Sequence, residues 1–207
     1  LKRSAVWTEV DIWCIIDVNY MKLPNITYTV NNDLCCGCGV CEGMCPNNAI
    51  SFIVKDGIFR PIVNDSLCKN DKGCHRCYDS CPGWGIELKE GLAKNIDYKE
   101  DKYVGAYLNS YVGYSMDKEI RYHSASGGMV TQFLIWLLEK NYIDGAVVTK
   151  FDKDAPLNVK SFIATSKEEI LQAKSSKYTP VALNDAIVEL KKAQGSRYVV
   201  VGLPCHI

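Results

Sequence analysis

Apolar residues follow a helical period in one part of the second half of the chain. They recur three and four positions apart over residues 130–138, which predicts an amphipathic helix. We expect Ser124 or Ser126 to cap the start of this helix. The predicted buried stripe is Val130, Phe133, Leu134, Leu137 and Leu138.

A second helix is predicted further along the chain. Thr179 is placed to cap it, Pro180 to occupy its first position and Gly195 to end it. Ser166, followed three positions later by Glu169, is typical of a capping box at the start of another helix. The expected apolar face of the second helix is Leu183, Ala186, Ile187 and Leu190.

Short apolar runs lie between these helices and predict strands. They read "AVVTK" (146–150), "VKSFIAT" (159–165) and "RYVVVG" (197–202), and the last is of the continuous kind that parallel sheets bury. The aromatic and β-branched segment 103–115 predicts one or two more strands. Strands that alternate with helices favour an α/β layer.

The first half contains a duplicated cysteine pattern. The run "VNNDLC" (30–35) returns as "VNDSLC" (63–68), and each copy ends in Cys-Pro before strand-forming residues. The first copy reads C-x2-C-x2-C-x3-C-P, and the second has three extra residues after its first cysteine. The cysteines of the first copy are Cys35, Cys38, Cys41 and Cys45, and those of the second are Cys68, Cys74, Cys77 and Cys81.

This spacing is that of bacterial proteins with two [4Fe–4S] clusters, in which the fourth cysteine of each run binds the other cluster. We therefore predict two such clusters. Gly37, Gly39 and Gly73 are expected to give the loops their backbone freedom. The predicted ligands of one cluster are Cys35, Cys38, Cys41 and Cys81, and those of the other are Cys45, Cys68, Cys74 and Cys77.

A zinc site is the alternative interpretation of the same cysteines. It would pair Cys35 and Cys38 with Cys74 and Cys77 and would leave the other four cysteines of the runs without a role. Outside the runs, Cys14 and Cys36 are interpreted as buried thiols. The three histidines, His75, His123 and His206, form no metal-ligand pattern.

Composition and charge limit the class of protein. Lys plus Arg and Asp plus Glu each total 24, so no excess charge points to nucleic acid or to a membrane surface. The longest uncharged apolar stretch, 129–138, is too short to cross a bilayer, and no secretion signal is evident. We therefore expect a cytoplasmic protein without a membrane span, in which the eleven cysteines are metal ligands rather than disulfides.

Two loops of the second half are candidate ligand sites. The run "SASGG" (124–128) stands where a helix begins, and free N–H groups there favour phosphate, although a plain helix cap explains it equally well. The run "VGLPC" (201–205) follows a strand, where open α/β sheets bind ligands, and the alternative is a turn with a buried thiol.

The order of these motifs resembles the family of beta subunits of coenzyme F420 hydrogenases and dehydrogenases. Duplicated cysteine runs are followed by R-x-x-S-x-S-G-G, then Ser-Lys-Tyr, then V-G-x-P-C, and the resemblance extends over 21–207. It implies an iron–sulfur flavoprotein oxidoreductase in which two [4Fe–4S] clusters exchange electrons with FAD. FAD would exchange a hydride with a small-molecule redox substrate such as a deazaflavin. A redox partner protein, either ferredoxin or a subunit of another oxidoreductase, is also implied.

The resemblance also implies the flavin site and leaves its catalytic residues unknown. Ser175 stands where many relatives have Gly, and His206 stands where many have Gln after Pro-Cys, so substrate preference stays open. Lys177 is interpreted either as a cation near the flavin or as a solvated lysine. The residues expected near the flavin are Ser124, Ser126, Gly127, Gly128, Ser176, Lys177, Tyr178, Gly202, Pro204 and Cys205.

The expected fold is an α+β ferredoxin-like two-cluster domain followed by an α/β domain. The predicted boundaries are a leader or extension of doubtful structure (1–20), the cluster domain (21–88), a linker (89–102) and the flavin-binding α/β domain (103–207). Relatives continue past the Pro-Cys loop, so the last domain is expected to be incomplete. Two other functions stay open: a two-cluster electron carrier without flavin or substrate chemistry, and a binding module with structural zinc.

Overall fold

The structure is a computed structural model that describes residues 24–85, 97–193 and 196–206. These residues form a cysteine-rich unit (24–85) and an α/β unit (97–206). Within the described ranges, no helix combines the length and the apolar character needed to cross a membrane.

The cysteine-rich unit is built from short helices and one antiparallel hairpin. The hairpin register pairs Ile50 with Val63, and the turn at Asp56 and Gly57 has positive φ at both residues. The strand predicted after the first Cys-Pro is confirmed, whereas most of the one predicted after the second lies outside the described residues. The elements are helices α1 (Ile26–Asn31), α2 (Val40–Met44) and α3 (Arg76–Asp79) and strands β1 (Ile50–Lys55) and β2 (Ile58–Val63).

The α/β unit is a mixed three-stranded sheet with helices on both faces. Strand β5 lies in the middle, antiparallel to β6 and parallel to β7, so the predicted strands are confirmed but the sheet is not purely parallel. A separate hairpin, β3–β4, precedes it. The elements are β3 (Lys99–Asp101), β4 (Gly105–Tyr107), α4 (Lys118–Tyr122), α5 (Met129–Glu139), β5 (Gly145–Phe151), β6 (Val159–Ala164), α6 (Lys167–Gln172), α7 (Asn184–Leu190) and β7 (Tyr198–Val200).

Side chains of β5 alternate between two apolar layers, as a strand buried on both faces requires. Ala146 and Val148 face a cluster that includes Leu134, Ile135 and Ile170, from α5 and α6. Val147, Leu183 and Ala186 form the other layer, beneath α7. The core of this unit therefore lies on both sides of one strand.

The helix predicted over residues 130–138 is confirmed as α5, but its buried face was wrong in part. Leu134 is buried as predicted, whereas Val130 and Phe133 are 60% and 54% exposed. The buried face contains Thr131, Leu134 and Ile135. Val130 lines two cavities described below, whereas Phe133 stacks on Trp136 on the outer surface, with ring centroids 6.0 Å apart. That contact gives an apolar side chain a partner outside the core.

The predicted serine cap of α5 was also wrong. Gly128 occupies the cap position with φ +74°, and no side chain caps the helix. Ser124 Oγ instead donates to the Ile120 carbonyl at 2.5 Å, at the end of α4. A serine between two helices can form a hydrogen bond with the backbone of either one, and Ser124 bonds to the preceding helix.

The start predicted for the second helix, with Thr179 as its cap and Pro180 at its first position, was wrong, because α7 begins at Asn184. Long-range hydrogen bonds hold the residues before it in a non-helical conformation. The Leu183 N–H donates to the Cys38 carbonyl at 2.9 Å, and Ser161 Oγ donates to the Ala182 carbonyl at 3.0 Å. The helix ends at Leu190, and Gly195 lies outside the described residues.

The capping box predicted before α6 is confirmed. The Glu169 N–H donates to Ser166 Oγ at 3.2 Å, and Glu169 Oε2 accepts the Thr165 N–H at 2.7 Å. By contrast, the segment 103–115 contributes only strand β4, whose partner β3 lies in the predicted linker.

The two units meet where α2 packs against α7. A Cβ on Gly39 would lie 2.5 Å from the Asn184 nitrogen, and a Cβ on Gly43 would lie 2.1 Å from Ile187 Cγ2. Asn184 Nδ2 also donates to Glu42 Oε2 at 3.1 Å. Only glycine leaves room for this backbone approach.

Replacing Gly39 with Ala should destabilise the protein by about 2 kcal/mol more than replacing Gly57 with Ala. Both glycines have positive φ, +88° and +75°, so the conformational cost of alanine is similar at the two sites. Only Gly39 is packed against another element, since nothing lies within 4 Å of the Cβ position at Gly57. Denaturant unfolding of both variants measures the difference, and equal destabilisation would contradict the packing argument.

Candidate functional site

Four cysteines of the duplicated runs surround one small cavity, which we name the first thiol cavity. Ile26 and Phe52 supply apolar walls, and Gly37 and Gly39 bring the backbone close to it. Cys81 belongs to the second cysteine run, whereas the other three belong to the first. The four cysteines are Cys35, Cys38, Cys41 and Cys81.

The remaining four cysteines of the runs surround another cavity, the second thiol cavity. Here Cys45 comes from the first run and the other three from the second. Ile50 and Val63 of the hairpin form part of its wall. The cysteines are Cys45, Cys68, Cys74 and Cys77. The two cavities thus group the cysteines as the sequence predicted, with the fourth member of each run exchanged.

Polar hydrogens point at several of these sulfur atoms. The Ala49 N–H donates to Cys45 Sγ at 3.2 Å, and Asn25 Nδ2 lies 3.9 Å from Cys68 Sγ. Backbone hydrogen bonds also reach the sulfurs of Cys38 and Cys77. Such bonds stabilise negative charge on sulfur and tune the potential of iron–sulfur centres.

Burial opposes ionisation of the central thiols in the metal-free chain. It raises the pKa of the Cys38 thiol to about 12, and it raises the pKa of Cys41 and Cys77 as well. Neighbouring cysteines add to the effect at Cys41 and Cys77. A metal that binds here must displace these protons, so loading is favoured by higher pH.

The spread of the sulfur atoms bears on which metal group fits. In the described part of the chain, no three His, Cys, Asp or Glu side chains lie close enough together to hold one metal ion. A zinc ion needs four ligands at about 2.0–2.3 Å from one point. A four-iron cluster also takes four thiols, but each of them binds a separate iron.

A cation lies beside each thiol cavity. Arg60 Nη1 donates to the Cys35 carbonyl at 2.6 Å, and Lys191 Nζ donates to the Cys45 carbonyl. Arg60 lies on β2 of the cysteine-rich unit, whereas Lys191 directly follows α7 of the α/β unit.

A larger cavity of about 430 Å³ is formed mostly by the α/β unit, and its volume is within the size range of small-molecule sites. Val148 of β5 and Leu134 of α5 form apolar walls, and the loop after β7 closes one side with Gly202 and Cys205. Thr179 and Pro180, predicted to begin a helix, line this cavity instead.

A smaller cavity adjoins the larger one at the N-terminus of α5. Ser124, Ser126 and Gly128 line it. Because no side chain caps α5, its first backbone N–H groups are left without a capping oxygen. The walls that the two cavities share are Val130, Thr131, Ala173, Ser175, Ser176 and Val201.

The structure thus brings together most, but not all, of the residues predicted near a flavin. Gly127, Tyr178 and Pro204 line neither cavity, and Tyr178 is 93% exposed. The predicted residues that line one or both cavities are Ser124, Ser126, Gly128, Ser176, Lys177, Gly202 and Cys205.

Lys177 uses its ammonium group to cap the end of α6. Its Nζ donates to the carbonyls of Ala173, Lys174 and Ser175 at 2.6, 2.7 and 2.8 Å. Burial lowers the pKa of this lysine. Lys177 therefore lines the larger cavity with its donors already engaged, and Ser175 nearby has a left-handed backbone (φ +71°), which glycine adopts more readily than serine.

Cys36 is the residue that sequence reasoning missed. It was expected to be a buried thiol, but it is exposed and lines both the first thiol cavity and the larger cavity. The only sequence feature that could have marked Cys36 as a site residue is its position next to Cys35. Cys36 reaches the larger cavity because the cysteine-rich unit packs against the α/β unit, and the sequence does not show that contact.

His206 joins the loop after β7 to the residues before α7. Its Nδ1 accepts the Leu203 N–H at 2.9 Å, which leaves Nε2 to donate to the Val181 carbonyl at 3.2 Å. The ring is buried. It therefore holds two walls of the larger cavity together rather than binding metal.

Two segments of the chain match known protein families. Residues 110–188 match "Coenzyme F420 hydrogenase/dehydrogenase, beta subunit N-term", and residues 28–51 match "4Fe-4S binding domain". The second match covers the first cysteine run, and the first covers much of the larger cavity. A 4Fe-4S binding domain thus precedes a domain of the type found in coenzyme F420-linked oxidoreductases. The resemblance to the beta subunits of coenzyme F420 hydrogenases and dehydrogenases is confirmed.

Individual relatives agree with these matches. An uncharacterized protein of Methanocaldococcus jannaschii is 30% identical over 91% of this chain and 54% of its own length. The coenzyme F420-dependent sulfite reductase of the same organism is 30% identical over 86% of this chain and 25% of its own. One of the subunits of the F420H2 dehydrogenase of Methanosarcina mazei is 28% identical over 88% of this chain and 49% of its own. The chain thus spans about half or less of these relatives.

Replacing Lys177 with Met should lower the free energy of unfolding by about 1–2 kcal/mol, because the carbonyls at the end of α6 lose a charged donor. Lys174→Met is the matched control, since it changes a neighbouring lysine and leaves the cap in place. Thermal or denaturant unfolding compares the two. Equal stability of the variants would show that the capping contacts contribute nothing measurable.

Proposed function

We propose that this chain is the electron-transfer portion of an iron–sulfur flavoprotein oxidoreductase. It would hold two [4Fe–4S] clusters in its thiol cavities and FAD in the larger cavity and its neighbour. A bound flavin supplies the exchange between single electrons and a hydride. The main observation in support is that Cys36 lines both the first thiol cavity and the larger cavity, so the two cavities are neighbours.

The thiol cavities support the metal half of the proposal. Each offers four cysteines drawn from both runs, buried apolar walls and polar hydrogens directed at sulfur. The proposed ligands are Cys35, Cys38, Cys41 and Cys81 at the first cavity and Cys45, Cys68, Cys74 and Cys77 at the second.

The paired cavities of the α/β unit support the flavin half. The larger one is mostly apolar and suits a ring system, and the smaller one lies at the N-terminus of α5, where phosphate binds well. Ser124, Ser126 and Gly128 are the proposed phosphate side. Ser176, Gly202 and Cys205 are proposed to face the ring.

Substrate and partner follow from the named relatives. Coenzyme F420 occurs in the names of the sulfite reductase and of the dehydrogenase, so we propose a deazaflavin of this type as the hydride partner. The dehydrogenase relative is one of several subunits, and we propose that this chain likewise works with a second redox protein, in the cytoplasm.

Anaerobic purification followed by iron, sulfide and flavin assays tests the proposal as a whole. About eight irons and one FAD per chain are expected. Iron without flavin would favour a simple electron carrier, and a colourless preparation with zinc would favour a structural metal site. Either result would overturn the flavoprotein proposal.

Serine substitutions test the exchange of the fourth cysteine between runs. Cys81→Ser should remove the same paramagnetic signal as Cys41→Ser, and Cys45→Ser the same one as Cys77→Ser, each with loss of about half of the iron. The reason is that Cys41 and Cys81 share one cavity and Cys45 and Cys77 the other. Electron paramagnetic resonance of the reduced variants distinguishes the signals. Loss of the same signal in Cys41→Ser and Cys45→Ser would contradict the assignment.

Replacing Val201 with Trp should fill the wall shared by the two cavities and lower bound flavin at least about tenfold, while iron stays unchanged. Val112→Trp is the matched control, because Val112 is fully exposed and lines neither cavity. Flavin fluorescence after denaturation measures the occupancy. Full flavin in Val201→Trp would place the cofactor elsewhere.

A further inference from the structure

Two cysteines outside the proposed cluster ligands lie where the two units join. Cys36 of the cysteine-rich unit and Cys205 of the α/β unit both line the larger cavity. Burial and the neighbouring Cys36 both raise the pKa of the Cys205 thiol, so the two side chains lie near each other although they belong to different units. Neither thiol is explained by packing, because Cys36 is exposed and Cys205 is only half-buried.

Cys36 also contacts Cys38, a proposed cluster ligand. The thiols of Cys38, Cys36 and Cys205 are therefore neighbours where the first thiol cavity meets the larger cavity. Cys38 is buried in the first thiol cavity, and Cys205 faces the larger one.

We propose that Cys36 and Cys205 form a redox-active dithiol, which closes to a disulfide between the two units and reopens on reduction. Closure breaks two S–H bonds and forms one S–S bond, and it releases two protons and two electrons. Two one-electron acceptors of the iron–sulfur class, or one small disulfide, take up those electrons. Reopening returns two electrons and two protons to the two sulfurs.

The dithiol would hold two electrons where the two units join. It would lie between the first thiol cavity, with its proposed one-electron centre, and the larger cavity. That role rests on the proposed function, because it needs iron–sulfur centres as its neighbours. The pairing of the thiols does not, since it follows from the contact between Cys36 and Cys205 alone.

Thiol mapping of the anaerobically purified full chain tests the pair. The protein is equilibrated with mixtures of reduced and oxidised glutathione, quenched in acid, alkylated and digested. The fraction of peptide that links Cys36 to Cys205 should rise about tenfold or more as the mixture becomes more oxidising. Fragmentation of that peptide identifies which cysteine of the first run is linked.

Cys36→Ser and Cys205→Ser are reciprocal controls. Each should abolish the linked peptide, so that the other cysteine is recovered only as the alkylated thiol or as its mixed disulfide with glutathione, and iron content should match that of the unaltered chain. Loss of about half of the iron in Cys205→Ser would instead make Cys205 a cluster ligand and overturn the inference. A link from Cys205 to Cys38, or no link in any mixture, would overturn it as well.

Iron and flavin measured in the same preparation separate this inference from the proposed function. Full iron and flavin without the linked peptide would overturn the dithiol and leave the flavoprotein proposal intact. A linked peptide in protein without flavin would support the dithiol and overturn the flavoprotein proposal.

Discussion

The fit of α2 against α7 is the contact on which the rest of the structure depends. Gly39 and Gly43 have no side chains to hold the helices apart, so the backbones approach until the Leu183 N–H reaches the Cys38 carbonyl. A contact made by backbone atoms leaves little freedom for one unit to shift against the other. The relative position of the thiol cavities and the α/β sheet is thereby set by main-chain geometry.

The same contact shapes the larger cavity. Residues 179–183 run along its wall in a non-helical conformation because they are bonded at Leu183 to the cysteine loop and at Ala182 to Ser161. His206 ties this segment to the loop after β7. The cavity is therefore a product of both units, and neither alone supplies all of its wall.

Local sequence patterns predicted the helices and caps that are determined by nearby residues. The Ser166–Glu169 capping box and helix α5 were predicted correctly, because each is determined within a few residues. The serine cap of α5 and the start of α7 were wrong, because Ser124 and Leu183 have stronger partners elsewhere.

Features made by tertiary contact could not be read from the sequence. Cys36 meets Cys205 only because the units dock, and no periodicity or spacing records a contact between residues so far apart. Lys177 lines the larger cavity, but its role as a helix cap depends on the turn that Ser175 makes.

Arg60 and Lys191, which lie beside the thiol cavities, come from different units, and this has an electrostatic consequence. Arg60 reaches the first cavity from within the cysteine-rich unit, whereas Lys191 reaches the second from the α/β unit. A nearby positive charge favours the reduced, more negative state of a redox centre. Separating the units would therefore remove Lys191 from beside the second cavity and leave Arg60 beside the first, so a redox centre in the second cavity would lose a charge that favours its reduced state.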